Sequence, residues 1–169
     1  MMRKIALFTL LLGTVAALAP AAAQSGMHMH GSMTPTSAGP AAPGDKREFV
    51  QLPPMMQEHM LGNMRDHLET LDGIVDNLGN DKFEDAARLA EQRLGMSSLG
   101  FHDAAHMAPF MPQPMQDLGT SMHHAASRLS LVLQNAAVTP STDSMREVNR
   151  ALSEVTAACT GCHAAYRIR

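Results

Sequence analysis

Towards the end of the chain, apolar and thiol side chains recur at alternating spacings of three and four residues. The positions are Met145, Val148, Leu152, Val155, Cys159, Cys162 and Tyr166. This spacing places side chains on one face of an α-helix. It predicts a helix whose inward face carries both cysteines, so the fold must bury that face against other helices.

The two cysteines lie in the run Cys159-Thr160-Gly161-Cys162-His163. Two thiols separated by two residues and followed at once by histidine form the attachment pattern for c-type haem. Both sulfurs can form thioethers with one porphyrin while the next imidazole reaches its iron. We therefore expect one covalent haem c, bound through Cys159 and Cys162, with His163 as the proximal iron ligand.

Other uses of such a pair fit the chain less well. The chain has only two cysteines, whereas a zinc ribbon needs a second pair of ligands. A thioredoxin-like pair opens a helix after a strand, whereas this pair ends a helical pattern. A disulfide between residues so close in sequence would close a small, strained loop. Haem attachment is therefore the favoured interpretation.

Residues 1–23 have the pattern of a secretory signal. Arg3 and Lys4 precede an apolar run over residues 5–18, and small residues lead up to Ala23. The run is too short for a membrane span and is soon followed by Pro20. We expect cleavage near Ala23 and a periplasmic protein without membrane attachment.

Removal of Arg3 and Lys4 would leave 11 basic and 16 acidic side chains, a net charge near −5, which argues against a nucleic-acid partner. Residues 24–48 are rich in Gly, Ser, Pro, Thr and Ala, a composition typical of a disordered tail. Its Met and His side chains could bind copper, but no fixed geometry holds them, so a solvated tail is favoured. They are Met27, His28, Met29, His30 and Met33.

Residues 49–169 form the predicted domain, and three more helical patterns precede the last helix. The first consists of Leu61, Met64, Leu68, Leu71, Val75 and Leu78. The second consists of Phe83, Ala86, Ala87, Ala90 and Leu94. The third consists of Met115, Leu118, Met122, Ala125, Leu129, Val132 and Ala136. With a longer connection over residues 99–114, this predicts an all-α, antiparallel four-helix bundle with a long second connection and a carboxyl-terminal haem.

This arrangement resembles the class II c-type cytochromes, the cytochrome c′ and cytochrome c-556 family. The matching residues are Cys159, Cys162, His163, Tyr166 and Arg167, and the resemblance covers residues 52–169. It implies that Arg167 lies over the proximal imidazole, and the apolar stripe places Tyr166 near the porphyrin edge. It also implies redox partner proteins and homodimers that pair through the first two helices.

The resemblance implies that a first-helix residue faces the other side of the iron. In c-556 proteins this residue is a ligating methionine, and in c′ proteins it is an apolar side chain that does not ligate. Counting back from Phe83 favours Met64, which also lies on the apolar stripe. The local sequence around Met60 favours that residue instead, and His67 is a rival ligand on the same helix.

We expect one-electron transfer with His/Met ligation, because such a ligand pair keeps iron low-spin. One alternative is a five-coordinate, cytochrome c′-like protein that binds NO or CO. A second is a periplasmic copper or metal protein, in which His102 and His106 would share a helix face near Met107 and Met111. No pattern of paired carboxylates or of an activated nucleophile indicates an enzyme.

Overall fold

The computed structural model describes residues 44–169; the predicted signal peptide and the Met/His cluster of the tail lie outside these residues. The described chain is almost entirely helical and has one pair of two-residue strands, so the predicted all-α class is confirmed. The helices are α1 Pro54–Gly79, α2 Phe83–Leu89, α3 Ala104–Met107, α4 Gln113–Val138 and α5 Thr142–Ala165. The strands are β1 Glu48–Phe49 and β2 Tyr166–Arg167. No helix within the described residues is both long and apolar enough to cross a membrane.

The long helices begin at residues suited to helix starts. A proline occupies the first turn of α1 and of α4, where its missing N–H leaves no helix hydrogen bond unmade. At the start of α5, the Ser141 side chain accepts a hydrogen bond from the Ser144 backbone N–H at 3.0 Å. The Ser144 hydroxyl accepts one in return from the Ser141 N–H at 2.8 Å, which completes a capping box.

The second predicted helix is confirmed, although it changes form along its length. All five of its predicted inward residues are buried: Phe83, Ala86, Ala87, Ala90 and Leu94. After α2 the chain continues as a π-helical turn, Ala90–Leu94, which ends at Gly95. This wider turn is followed by a short 3₁₀ helix, Met96–Ser98.

The connection to α4 has more structure than its prolines and glycines predicted. It contains α3 and a 3₁₀ turn, Ala108–Phe110. Two of its side chains, His102 and Met107, are almost fully buried, with exposed fractions of 3% and 2%. The connection therefore contributes side chains to the interior.

Packing between α4 and α5 forms the main seam of the molecule. Leu129 and Leu133 of α4 and Val148 and Val155 of α5 have no exposed surface, and all four belong to one apolar cluster. On its other side α4 packs against α2, and α2 packs against α1. A Cβ atom at Gly73 of α1 would lie 3.2 Å from Leu89 Cδ1, so this glycine permits the close approach of α1 to α2.

The predicted inward stripe of α1 is wrong for Leu68 and Val75, which are 69% and 55% exposed. The other members are partly buried, and Met64, Leu71 and Leu78 pack against the apolar core. The buried residues of α1 are Met56, Met60, Thr70 and Ile74. The helix has apolar side chains over more than one face, so periodicity alone did not identify the face that packs against α2.

The interior consists of two apolar clusters that meet at the cysteines. The larger cluster contains the α2, α4 and α5 residues, and Cys159 packs against it. Cys162 packs against the smaller cluster. The buried members of the smaller cluster are Val50, Leu52, Met56, Met60, Met107 and Met115. Methionine dominates this smaller cluster, and its flexible thioether side chain suits an irregular space.

The two strands join the start of the described chain to its end. β1 and β2 pair in parallel, with Glu48 opposite Tyr166 and Phe49 opposite Arg167. The Val50 N–H also donates to the Arg167 carbonyl at 2.8 Å. Residues 48–49, at the edge of the predicted tail, thus pair with the residues that directly follow the last helix.

The α4–α5 seam predicts a large difference between two neighbouring leucines. Leu133→Ala should lower the free energy of unfolding by about 2–5 kcal/mol, because it leaves a cavity in a fully buried site. Leu131→Ala, on the same helix at a side chain that is 60% exposed, should change it by about 0.5 kcal/mol or less. Urea unfolding followed by circular dichroism measures both. Equal effects would contradict the assigned seam.

Candidate functional site

The two cysteines of α5 are free thiols on one helix face. Both are partly buried, and their spacing of three residues places them one turn apart. Burial raises the pKa of the Cys159 and Cys162 thiols, because an apolar surrounding disfavours the thiolate. The predicted haem-binding sulfurs therefore lie on one face of α5, and their surroundings favour the protonated thiol over the thiolate.

A cavity of about 360 Å³ opens beside these thiols, and we call it the cysteine cavity. Its volume lies within the range of about 300–1,000 Å³ that is typical of ligand pockets. Cys159, Cys162 and His163 of α5 line one wall. Most of the other lining residues are apolar, so the cavity suits a largely apolar ligand.

Side chains of α1 form part of the wall of the cysteine cavity. Met60, Met64, Leu68 and Leu71 all line it. Leu68 is strongly exposed and borders the same cavity as the thiols. The predicted stripe of α1 therefore faces this cavity in part, and only some of its members pack against the core.

Both candidate distal ligands lie on this wall. Met60 is 8% exposed and belongs to the smaller apolar cluster. Met64 is partly buried and packs against the same cluster. Each lines the cysteine cavity together with His163, so the structure brings both candidate thioethers to the cavity that the cysteines border.

A second cavity of about 340 Å³ adjoins the first and carries most of the positive charge of this region; we call it the arginine pocket. Arg47, Arg167 and Arg169 line it, together with His163 and Tyr166. His163 thus borders both cavities. The arginines are suited to pair with carboxylates near the imidazole.

Arg167 and Tyr166 lie beyond the end of α5, in strand β2. The Arg167 guanidinium stacks over the Phe49 ring, 4.8 Å from its centre, and its Nε lies 3.8 Å from a carboxylate oxygen of Asp45. The Tyr166 side chain packs against the methionine-rich cluster. Phe49 is therefore the stacking partner of Arg167 in this structure, and Tyr166 contacts the core next to the arginine pocket.

Three imidazoles line a further part of the cysteine cavity, and we call them the histidine cluster: His67 of α1, His102 of the connection and His123 of α4. The ring centres of His67 and His102 are 4.5 Å apart. His123 lies 6.0 Å from His67 and 5.7 Å from His102. His102 and His123 are only 3% and 7% exposed.

Hydrogen bonds hold the histidine cluster to its surroundings. His102 Nε2 lies 3.3 Å from a carboxylate oxygen of Asp66, and Asp66 also pairs with Arg93. His123 Nδ1 donates to the Leu94 carbonyl at 2.7 Å. That carbonyl lies at the end of the π-helical turn, where a helix leaves its last carbonyls without helical partners.

The backbone carbonyl of His102 accepts two further hydrogen bonds from α1. The donors are His59 Nε2 and Asn63 Nδ2, each at 3.0 Å. These contacts fix the connection to α1. The sequence carried no signal for the roles of Asn63, Asp66 and Arg93, because their partners are more than 25 residues away.

The alternative in which His102 and His106 share a helix face is contradicted by the structure. His102 precedes α3 and turns inward, whereas the His106 side chain is 58% exposed and pairs with Asp103. His124 is exposed, whereas its neighbour His123 is buried. Within residues 44–169, no three His, Cys, Asp or Glu side chains are grouped so that they could already hold a metal ion.

Burial keeps the histidine cluster neutral. It lowers the pKa of His67 to about 3, with further contributions from His102, His123 and His163. Burial likewise lowers the pKa of His102 to about 4 and lowers that of His123. At neutral pH the cavity therefore contains uncharged imidazoles, each with one N–H and one lone pair.

Comparison with known proteins found no relative: no family model, curated protein or solved structure matches the chain.

Acid should destabilise the fold through the histidine cluster. Between the ordinary histidine pKa near 6.5 and the folded values of about 4 for His102 and about 3 for His67, the unfolded chain binds more protons than the folded chain. The free energy of unfolding should therefore fall as the pH decreases from 6.5 to 4. Urea unfolding over this range measures the slope.

His102→Gln should make this slope shallower, because it removes one of the groups that resist protonation. His124→Gln is the matched control, since it removes an exposed imidazole beside His123 and should keep the wild-type slope. A wild-type slope in His102→Gln would contradict this origin of the pH dependence.

Proposed function

We propose that this chain is an exported class II c-type cytochrome that carries one covalent haem c and transfers single electrons. The observation that carries the proposal is the wall of the cysteine cavity. Two partly buried cysteine thiols, His163 and the thioethers of Met60 and Met64 all line this one largely apolar cavity. A haem needs attachment sulfurs, a proximal imidazole and an apolar surrounding.

We further propose that α1, α2, α4 and α5 form the antiparallel four-helix bundle of that family. Residues 80–82 link α1 to α2, and residues 139–141 link α4 to α5. Links this short favour antiparallel neighbours. The long second connection, between α2 and α4, contributes His102 and Met107 to the cavity.

The residues present fit the haem that the motif implies. When bound, a haem supplies an iron that changes its charge by one electron. Cys159 and Cys162 would hold the porphyrin by its edge, and His163 would supply the proximal imidazole. The apolar side chains of α1 and α4 would exclude water, and the three arginines of the arginine pocket would compensate the charge of the haem carboxylates.

A thioether from Met64 or Met60 would complete the ligand set on the other side of the iron. A His/Met pair raises the reduction potential, and the largely apolar lining of the cavity would limit the access of water to the haem. The signal-like residues 1–23 support export to the periplasm, where redox partner proteins would exchange electrons with this chain. Pairing of two copies through their first two helices belongs to the same proposal.

The first test is covalent haem attachment. Protein expressed with the cytochrome c maturation machinery should retain haem after denaturation, as measured by the pyridine haemochrome spectrum. Cys159→Ser and Cys162→Ser should each reduce the retained haem strongly, because each removes one thioether. Thr160→Ser, at an exposed position between the two cysteines, is the control and should retain haem. Wild-type protein without covalent haem would overturn the proposal.

The second test identifies the distal ligand. The reduced protein should show a sharp low-spin α band that carbon monoxide leaves unchanged. Of Met60→Ala and Met64→Ala, one should convert the spectrum to high spin and open the iron to carbon monoxide. Met55→Ala is the control, because Met55 lies on the same helix and is 73% exposed.

If neither Met60→Ala nor Met64→Ala alters the spectrum, neither side chain is the ligand. If the wild-type protein is already high-spin and its spectrum shifts with carbon monoxide, the electron-transfer proposal fails. The five-coordinate, gas-binding alternative then replaces it.

A further inference from the structure

We propose that the histidine cluster is a second metal site, separate from the haem attachment residues, and that it binds monovalent copper through His67, His102 and His123. These three imidazoles come from α1, the second connection and α4. The proposal goes beyond the haem function, because it needs neither the cysteines nor His163.

The spacing of the three rings suits a single ion. Imidazoles bound at metal–nitrogen distances of about 2.0–2.1 Å have ring centres about 5 Å apart and nitrogens about 3.4 Å apart. The ring centres of the cluster are separated by 4.5, 5.7 and 6.0 Å. His67 Nε2 and His102 Nδ1 lie 3.5 Å apart, close to the separation of two ligands on one ion.

Hydrogen bonds to the other ring nitrogens have the form expected of metal ligands. A ligating histidine usually donates its second N–H to a carboxylate or carbonyl, which fixes its tautomer. His102 Nε2–H donates to Asp66 at 3.3 Å, which leaves the lone pair on Nδ1. His123 Nδ1–H donates to the Leu94 carbonyl at 2.7 Å, which leaves the lone pair on Nε2.

The remaining histidine, His67, changes its tautomer when the ion binds. Without metal, His67 Nε2–H donates to His102 Nδ1. On binding, the His67 proton moves to Nδ1 and Nε2 becomes a ligand, so no proton is released. The described side chains do not yet converge as a group of three, so the proposed site requires the rings to move closer together when the ion binds.

The surroundings select copper(I) over harder ions. Met107 and Met122 are buried and line the same cavity, and thioethers favour soft Cu(I). The nearest carboxylate, Asp66, is already paired with Arg93 and His102, so it is not free to bind a hard cation. The lowered pKa values of the cluster mean that protons do not compete for the imidazoles at neutral pH.

The test is an anaerobic titration of the haem-containing protein with Cu(I) in competition with a coloured Cu(I) chelator. All proteins carry His28→Gln and His30→Gln, so that the imidazoles of the tail do not contribute. The otherwise wild-type chain should bind one equivalent. His102→Gln and His123→Gln should each weaken binding by at least about tenfold. His106→Gln and His124→Gln are matched controls at exposed histidines and should bind as tightly as the parent.

Asp66→Asn is a second variant that keeps all three imidazoles. It should weaken Cu(I) binding by about 10–100-fold, because it removes only the orienting carboxylate. Circular dichroism checks that each variant keeps its helices, and X-ray absorption at the copper edge should show imidazole nitrogen around the ion.

Unchanged affinity in His102→Gln and His123→Gln would overturn the proposal, as would preferential binding of Zn²⁺ over Cu(I). Covalent haem is measured on the same samples. A variant that loses copper binding but keeps its covalent haem shows that the copper site is separate from the haem site. A variant that loses haem but still binds copper shows the same separation.

Discussion

The packing of α4 along α5 is the contact on which the rest of the structure depends. Its fully buried leucines and valines fix the rotation of α5 about its axis. Because the cysteines continue the same face of α5, this rotation also directs the thiols inward. A helix turned by a quarter would place them in solvent, where they could not share a cavity with α1. The chemistry of the thiols thus depends on apolar contacts one to three turns away.

The histidine cluster is the second organising feature, and it is polar. Burying imidazoles costs free energy unless their hydrogen-bonding groups find partners. Here Asp66 and the Leu94 carbonyl supply those partners, and α1 holds the backbone of His102 through two side-chain hydrogen bonds. The cluster therefore ties the second connection to the helices on either side. The three imidazoles line part of the largely apolar cysteine cavity. They therefore limit which ligands the cavity can bind.

Much of this architecture could be predicted from periodicity. The inward residues of α2 were correct, and so were the centres of the α4 and α5 stripes, where the residues spaced by three and four are buried or partly buried. The prediction failed on α1, where apolar residues cover more than one face and Leu68 is exposed. Periodicity also missed the short helices of the second connection. The prolines and glycines there indicate where helices are interrupted, but they do not show which side chains turn inward.

By itself, the sequence determined the all-α class and the placement of Cys159, Cys162 and His163 on one helix. These follow from local rules, because helical spacing decides which side chains share a face, whereas the candidate thioethers of α1 were implied by the family resemblance. Only the tertiary structure decided that Met60, Met64 and the thiols line one cavity, that Arg167 stacks on Phe49, and that three histidines meet. The physical reason is that these contacts join residues far apart in the chain, and their geometry depends on how the helices rotate and pack.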